Sequence, residues 1–221
     1  MIPEVQNLAD ARCNRWMEKR YTGDPALSDF AAKVSASVRA FHAGDAAVLA
    51  HSIVAELNAA PHLTVIGECP VNLPEQAFQL VAHGQAPTGA HMPYTGDGRR
   101  RVIDLVVYDH RTGTIRFYEI KRGTDVLGAD QRRQRLFDDA VLRMVGVDYA
   151  RRVLARPATA ADAGVISYYG RSGLPAGDTL MGADLDDAFG WPVQRVVEEH
   201  LAYFRQICER AMPGFTAEAR A

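Results

Sequence analysis

Asp104, Glu119 and Lys121 are three charges set in two apolar runs of the segment RRRVIDLVVYDHRTGTIRFYEIKRG. Carboxylates are hard oxygen donors that hold divalent cations such as Mg²⁺, and a cation between two acids cancels their mutual repulsion. An ammonium group beside them can assist deprotonation of a water or steady charge developing on a phosphoryl group. The chemistry those three types would do together is metal-dependent hydrolysis of a phosphodiester.

Whether they meet depends on the loop between the runs. A four-residue hairpin loop commonly ends on a residue at positive φ, and Gly113 of "DHRTGT" suits that place. The loop is then His110 to Gly113, with Asp109 facing Thr114 and Asp104 facing Glu119. Opposed residues share a face of an antiparallel pair, and Lys121, two beyond Glu119, points the same way. A slip of one residue would send Asp104 to the other side. On a solvent-facing sheet, the same charges would form only a diagonal surface ion pair. Arg99, Arg100, Arg101 and Arg122 gather at the open end of the hairpin, where they would hold a phosphate backbone.

The elements that must position these residues follow from periodicity. The first forty residues read as helix, turn ("TGDP") and helix. Gly44 to Ala60 reads as a further helix capped by Asp45 and ended before Pro61, its apolar stripe running through Leu49, Ile53, Leu57 and Ala60. Glu56 falls on the edge of that stripe. "HLTVIGECPV" is a strand, and the loop-rich stretch Asn72 to Gly98 holds a short helix near Pro74 to His83. The hairpin strands are Arg101 to Asp109 and Thr114 to Arg122, followed by a helix over Gly128 to Val145 and a strand over Gly164 to Gly170. The chain closes with an amphipathic helix that has Pro192 in its first turn and Val193, Val197, Leu201, Phe204 and Cys208 as its stripe. Helices alternating with strands in this order predict an α/β fold, a central mixed sheet flanked by helices.

The expected organisation is one compact domain in three parts. These are an N-terminal helical segment over 1–43, a core over 44–170, and a C-terminal loop and amphipathic helix over 171–221. A chain of 221 residues with 48% hydrophobic and 24% charged residues has the composition of a folded globular protein. It has no apolar run of about 18 residues that would span a bilayer, and its first residues lack a signal peptide's apolar centre. Cys13, Cys69 and Cys208 form neither a disulfide framework nor a zinc knuckle. A cytoplasmic location is expected. The net charge is −2, yet Arg99 to Arg156 carries 14 Lys+Arg against 8 Asp+Glu, so basic charge gathers around the hairpin.

With "VID" at Val102–Asp104 and "EIK" at Glu119–Lys121, the chain resembles the PD-(D/E)XK nuclease superfamily over roughly Asp45 to Gly170. The resemblance implies an αβββαβ, restriction-endonuclease-like core. It implies that Asp104, Glu119 and the Ile120 carbonyl ligate Mg²⁺, with Mn²⁺ as substitute, while Lys121 positions or activates the attacking water. Glu56 matches the acid that many members carry on the first core helix and would join the catalytic and metal-binding set. The expected activity is DNA cleavage, most simply as an endonuclease leaving 5′-phosphate and 3′-hydroxyl ends. An inactive nucleic-acid-binding or assembly subunit of the same fold and an RNA endonuclease are the alternatives. Many relatives dimerise, and the last helix would serve a homodimer.

Two features depart from the family pattern. Ile103 stands where some members have Pro, and neither Gln131 nor Gln134 is followed four residues on by Tyr. Arg132, Arg133 and Arg135 open the helix after Lys121, against its dipole, which suits a site awaiting an anion. They join the nucleic-acid-binding set. The histidines show no His-x-x-x-His spacing, so zinc is not expected. His110 reads as a turn residue, and the loop with Tyr94 reads as a substrate contact.

Overall fold

The computed structural model describes residues 1–18, 29–84, 91–122, 126–170 and 172–220, without the side chains of 29, 30, 32 and 213–220. The predicted TGDP turn lies outside these residues. The elements in chain order are α1 (Pro3–Glu18), α2 (Asp29–Asn58), β1 (Leu63–Leu73), α3 (Glu75–Ala82), β2 (Arg99–Asp109) and β3 (Thr114–Lys121). There follow α4 (Ala129–Arg152), β4 (Ala160–Ser167), β5 (Thr179–Met181), α5 (Leu185–Phe189) and α6 (Gln194–Arg220). The chain divides into two units, a helical one of Met1–Glu56 with Pro192–Ala221 and an α/β one of Leu57–Trp191. α2 runs unbroken through Gly44, where a separate helix was expected to begin.

The helical unit explains why the Gly44-Asp45 signal misleads. A β-carbon at Gly44 would lie 2.8 Å from the Phe204 ring, so the glycine sits inside α2 to let α6 approach. Asp45 is fully buried, 3.7 Å from Arg205, and is no cap. The stripe of α6, Val193, Val197, Leu201, Phe204 and Cys208, is buried within the chain itself. Phe204 stacks on Phe41, and Trp16 donates to Ser37 Oγ at 2.7 Å. No described helix is long and apolar enough to cross a membrane.

The α/β unit is a five-stranded mixed sheet in the order β1-β2-β3-β4-β5, open at both edges. The first two pairings are antiparallel and the last two parallel. The parallel step from β3 to β4 requires a crossover, which α4 supplies. The hairpin register is the expected one: Asp109 faces Thr114 and Leu105 faces Tyr118, with Gly113 at φ +67°. A core of Val71, Leu73, Val106, Tyr108, Ile115, Phe117, Val141, Leu142 and Val145 lies between the sheet, α3 and α4. Gly146 sets how closely α4 docks, since a β-carbon there would stand 2.7 Å from both Ala161 Cβ and the Phe117 ring.

α4 runs seven residues past its predicted end, because Met144 to Val147, Tyr149 and Ala150 are buried where sequence alone shows a β-branched, glycine-containing stretch. β4 begins four residues earlier than expected, and Tyr168 to Gly170 lie outside it. β5 and α5 are too short to leave a periodic signal. Gly190, at φ +60°, ends α5.

Gly146→Ala gains helix propensity but must push two packed groups apart. It should lower stability by about 1–2 kcal/mol in a urea titration. In the helical unit, buried His200 accepts from the Ile2 N–H through Nε2 at 2.8 Å, which requires a neutral ring. Burial holds its pKa below the ordinary histidine value. The unfolded chain therefore takes up the proton first, and stability should fall as pH drops below about 6.5. A His200→Gln variant should show a shallower loss between pH 7.5 and 5.5 in thermal melts.

Candidate active site

The pleat of the sheet reverses at one point. Along β1, Ile66 packs toward the α4-side core, yet so do Cys69, Val71 and Leu73; along β2, Val106 and Tyr108 face it, yet so does Ile103. Strict alternation would put odd and even positions on opposite faces. Glu68, at φ +48°, makes the switch on β1, and the β1–β2 ladder skips the Glu68/Asp104 step before resuming at Cys69 and Ile103.

The β2–β3 ladder ends one step short of the same place, at Leu105 and Tyr118. Asp104 and Glu119 are therefore not a ladder pair, although the register expected for them holds up to that point. Asp104 instead reaches sideways, and its Oδ2 accepts the Ile120 N–H at 2.8 Å. In an extended residue the N–H and C=O point to the same side. The Ile120 carbonyl thus also faces the gap that Asp104 occupies.

The Asp104 carboxyl is held above the ordinary aspartate value, first by burial and then by the negative charge of Glu119. The Ile120 N–H and the cations Lys121 and Arg135 pull the other way. Lys121 Nζ lies 2.6 Å from Glu119 Oε1, and Arg135 lies 3.3 Å from Oε2. Arg135, expected among the phosphate contacts, has a side chain only 12% exposed. It donates to the Gly164 carbonyl at 3.0 Å and pairs with Asp139 at 2.6 Å. Asp139 is fully buried, and burial pushes its carboxyl up to about 6 against the pull of Arg135. Neither the Arg135 pairing nor the buried Asp139 was foreseen; the only trace in the sequence is their i,i+4 spacing.

Glu119 and Lys121 open on a cleft of about 700 Å³, whose walls include Arg100, Arg101, Gln131, Gln134 and Asp138. Asp104 lies beside this cleft and not in its lining. The expected basic cluster is divided. Arg100 and Arg101 line the cleft, and Arg101 is 3.2 Å from Asp138. Arg99 is held 2.9 Å from Glu75 and lies over the Phe78 ring, while Arg122 lies over Tyr169. Arg133 pairs with Asp130, and Arg132 packs near Gly173. Gln131 caps α4 by accepting the Gly128 N–H, and Gln134 donates to Asp138. Tyr94 is buried, its hydroxyl taking the Asn72 N–H, so it is a core residue and not a substrate contact. Glu56 lies in the last turn of α2, at the end of the helical unit.

Among the described residues, no group of three or more His, Cys, Asp or Glu side chains is arranged to hold a metal. The donors at hand are two carboxylates and a peptide carbonyl, all hard oxygens, with Asp104 short of counter-charge. Hard oxygens of this kind are the donors that Mg²⁺ or Mn²⁺ would take, and Lys121 already lies against one of the Glu119 oxygens. Comparison with known proteins adds no identity: no family model, curated protein or solved structure matches this chain.

Near neutral pH and without metal, Asp104→Asn should stabilise the protein by up to about 1 kcal/mol in urea unfolding. The amide oxygen can still accept the Ile120 N–H while the repulsion from Glu119 disappears. A loss of stability would mean that the charge itself holds the strand end in place.

Proposed function

We propose that the protein is a Mg²⁺-dependent nuclease of the PD-(D/E)XK type, with a restriction-endonuclease-like core, that hydrolyses DNA phosphodiester bonds. The observation that carries this reading is the bond from Asp104 to the Ile120 N–H, which brings the acid beside Glu119 and Lys121 at the edge of an arginine-bearing cleft. The element order, a helix before the three antiparallel strands and α4 leading into parallel β4, supports it as well.

In this reading Asp104, Glu119 and the Ile120 carbonyl would hold the ion, which would supply Lewis-acid activation of the phosphodiester and of the attacking water. Lys121, 46% exposed and paired with Glu119, would orient the attacking water. Arg100 and Arg101, which line the cleft, would contact the phosphate backbone. Glu56 enters only through the family resemblance, as a further acid. The products carry 5′-phosphate and 3′-hydroxyl ends.

A second reading keeps the fold and the DNA and drops the chemistry. It is favoured by Glu119, both of whose oxygens already face a cation. Incubation with plasmid, linear and branched DNA, and with RNA, in Mg²⁺ separates the two readings. Asp104→Ala, Glu119→Ala and Lys121→Ala should each cut at least about 100-fold more slowly than the unaltered protein, with circular dichroism unchanged and DNA retention within a few-fold. Equal cleavage by all three would overturn the nuclease reading. Cleavage of RNA alone would change the substrate and keep the site.

A further inference from the structure

We infer that Asp139 and Arg135 are positioning residues of the cleft: Arg135 holds Glu119, and Asp139 cancels the charge that Arg135 brings, so that the site keeps its pull on a divalent cation. The inference rests on the nuclease reading above and extends it to two residues that touch neither the ion nor the substrate.

Arg135 joins three elements with one guanidinium. It reaches Glu119 of β3 at 3.3 Å, the Gly164 carbonyl of β4 at 3.0 Å and Asp139 of its own helix at 2.6 Å. Simple docking of α4 does not require this pair. Arg143, two turns on, already ties the helix to β4 through Asp162 and the Ala163 carbonyl, and to Asp178 in the turn before β5. Apolar packing through Val141, Leu142 and Val145 completes the seam. A fully buried acid with a partly buried partner adds little to stability compared with apolar groups of the same size. Burial lifts the Asp139 carboxyl to about 6, which marks how unwelcome the charge is there.

Charge accounts for its presence. Around Glu119, the carboxylates of Asp104, Glu119 and Asp139 face the cations Lys121 and Arg135, three against two. Without Asp139 the group would be neutral and would attract a divalent ion less. Without the whole pair it would regain its single negative charge, but Glu119 would lose the donor that fixes its second oxygen.

That arithmetic gives a test in which a second substitution repairs the first. Mn²⁺ binding to the full chain is measured by isothermal titration calorimetry, and DNA cleavage is measured in parallel. Asp139→Asn should weaken Mn²⁺ binding about tenfold. Adding Arg135→Met should return binding to within about threefold of the unaltered protein, yet leave cleavage at least tenfold lower because Glu119 is no longer held. A purely structural pair would not show binding lost with one change and regained with the next. If Asp139→Asn does not fold, the double variant still decides, since a chain that has lost the pair and cuts at the unaltered rate overturns the positioning role. Equal Mn²⁺ binding by the unaltered protein and a folded Asp139→Asn variant overturns the inference and leaves the nuclease reading intact. An unaltered chain that neither binds Mn²⁺ nor cuts DNA overturns both.

Discussion

The bond from the Asp104 carboxylate to the Ile120 N–H depends on an irregularity in the neighbouring strand. In a regular pleat, Asp104 would share the face of Val106 and Tyr108 and would be driven under α4, where an unpaired carboxylate is costly. Glu68 at positive φ reverses the pleat on β1, and β2 follows it through their shared ladder. The carboxylate is left near the plane of the sheet, at the level where β2 and β3 stop pairing. It takes over the donor that the missing backbone acceptor would have bonded. A non-glycine residue held at such a φ costs about 1–3 kcal/mol and persists only where its surroundings determine it. Cys69, Val71 and Leu73 are those surroundings, since their burial requires the reversed phase.

The charges at the strand ends are then organised by how far each lies from water. Lys121 remains exposed and can part from Glu119 at little cost. Arg135 is nearly buried and cannot. One oxygen of Glu119 therefore faces a mobile cation and the other a fixed one. Glu119 is thus held on one side by a nearly buried guanidinium while its other oxygen meets a cation in contact with water. The site's destabilised acids lie on different elements, Asp104 on β2 and Asp139 on α4.

α4 is the frame for this arrangement. Its row Arg135, Asp139 and Arg143 faces β3 and β4, while Val141, Leu142 and Val145 fill the space between. Gly146 brings the helix close enough for those side chains to reach the sheet. The helical unit formed from both ends of the chain is stabilised differently, by aromatic contacts among Trp16, Phe41 and Phe204 and by the neutral His200.

Short-range rules made most of the fold legible. The positive φ of Gly113 and the two-residue period of the flanking runs determined the hairpin register from Asp109 and Thr114 to Leu105 and Tyr118. The α6 stripe and the stripe through Leu49 and Ile53 were equally plain, because burial of one helix face imposes its period on the sequence. The α2 start was misread at Gly44, where a glycine serves a contact with Phe204 from more than a hundred residues away. The pleat reversal at Glu68, the pairing of Arg135 with buried Asp139, and the division of the arginine cluster among Glu75, Asp138 and Tyr169 were decided only in three dimensions. Periodicity and turn chemistry act between near neighbours in the chain, whereas the partner of a charge is whatever the folded sheet and helix bring within a few ångströms of it.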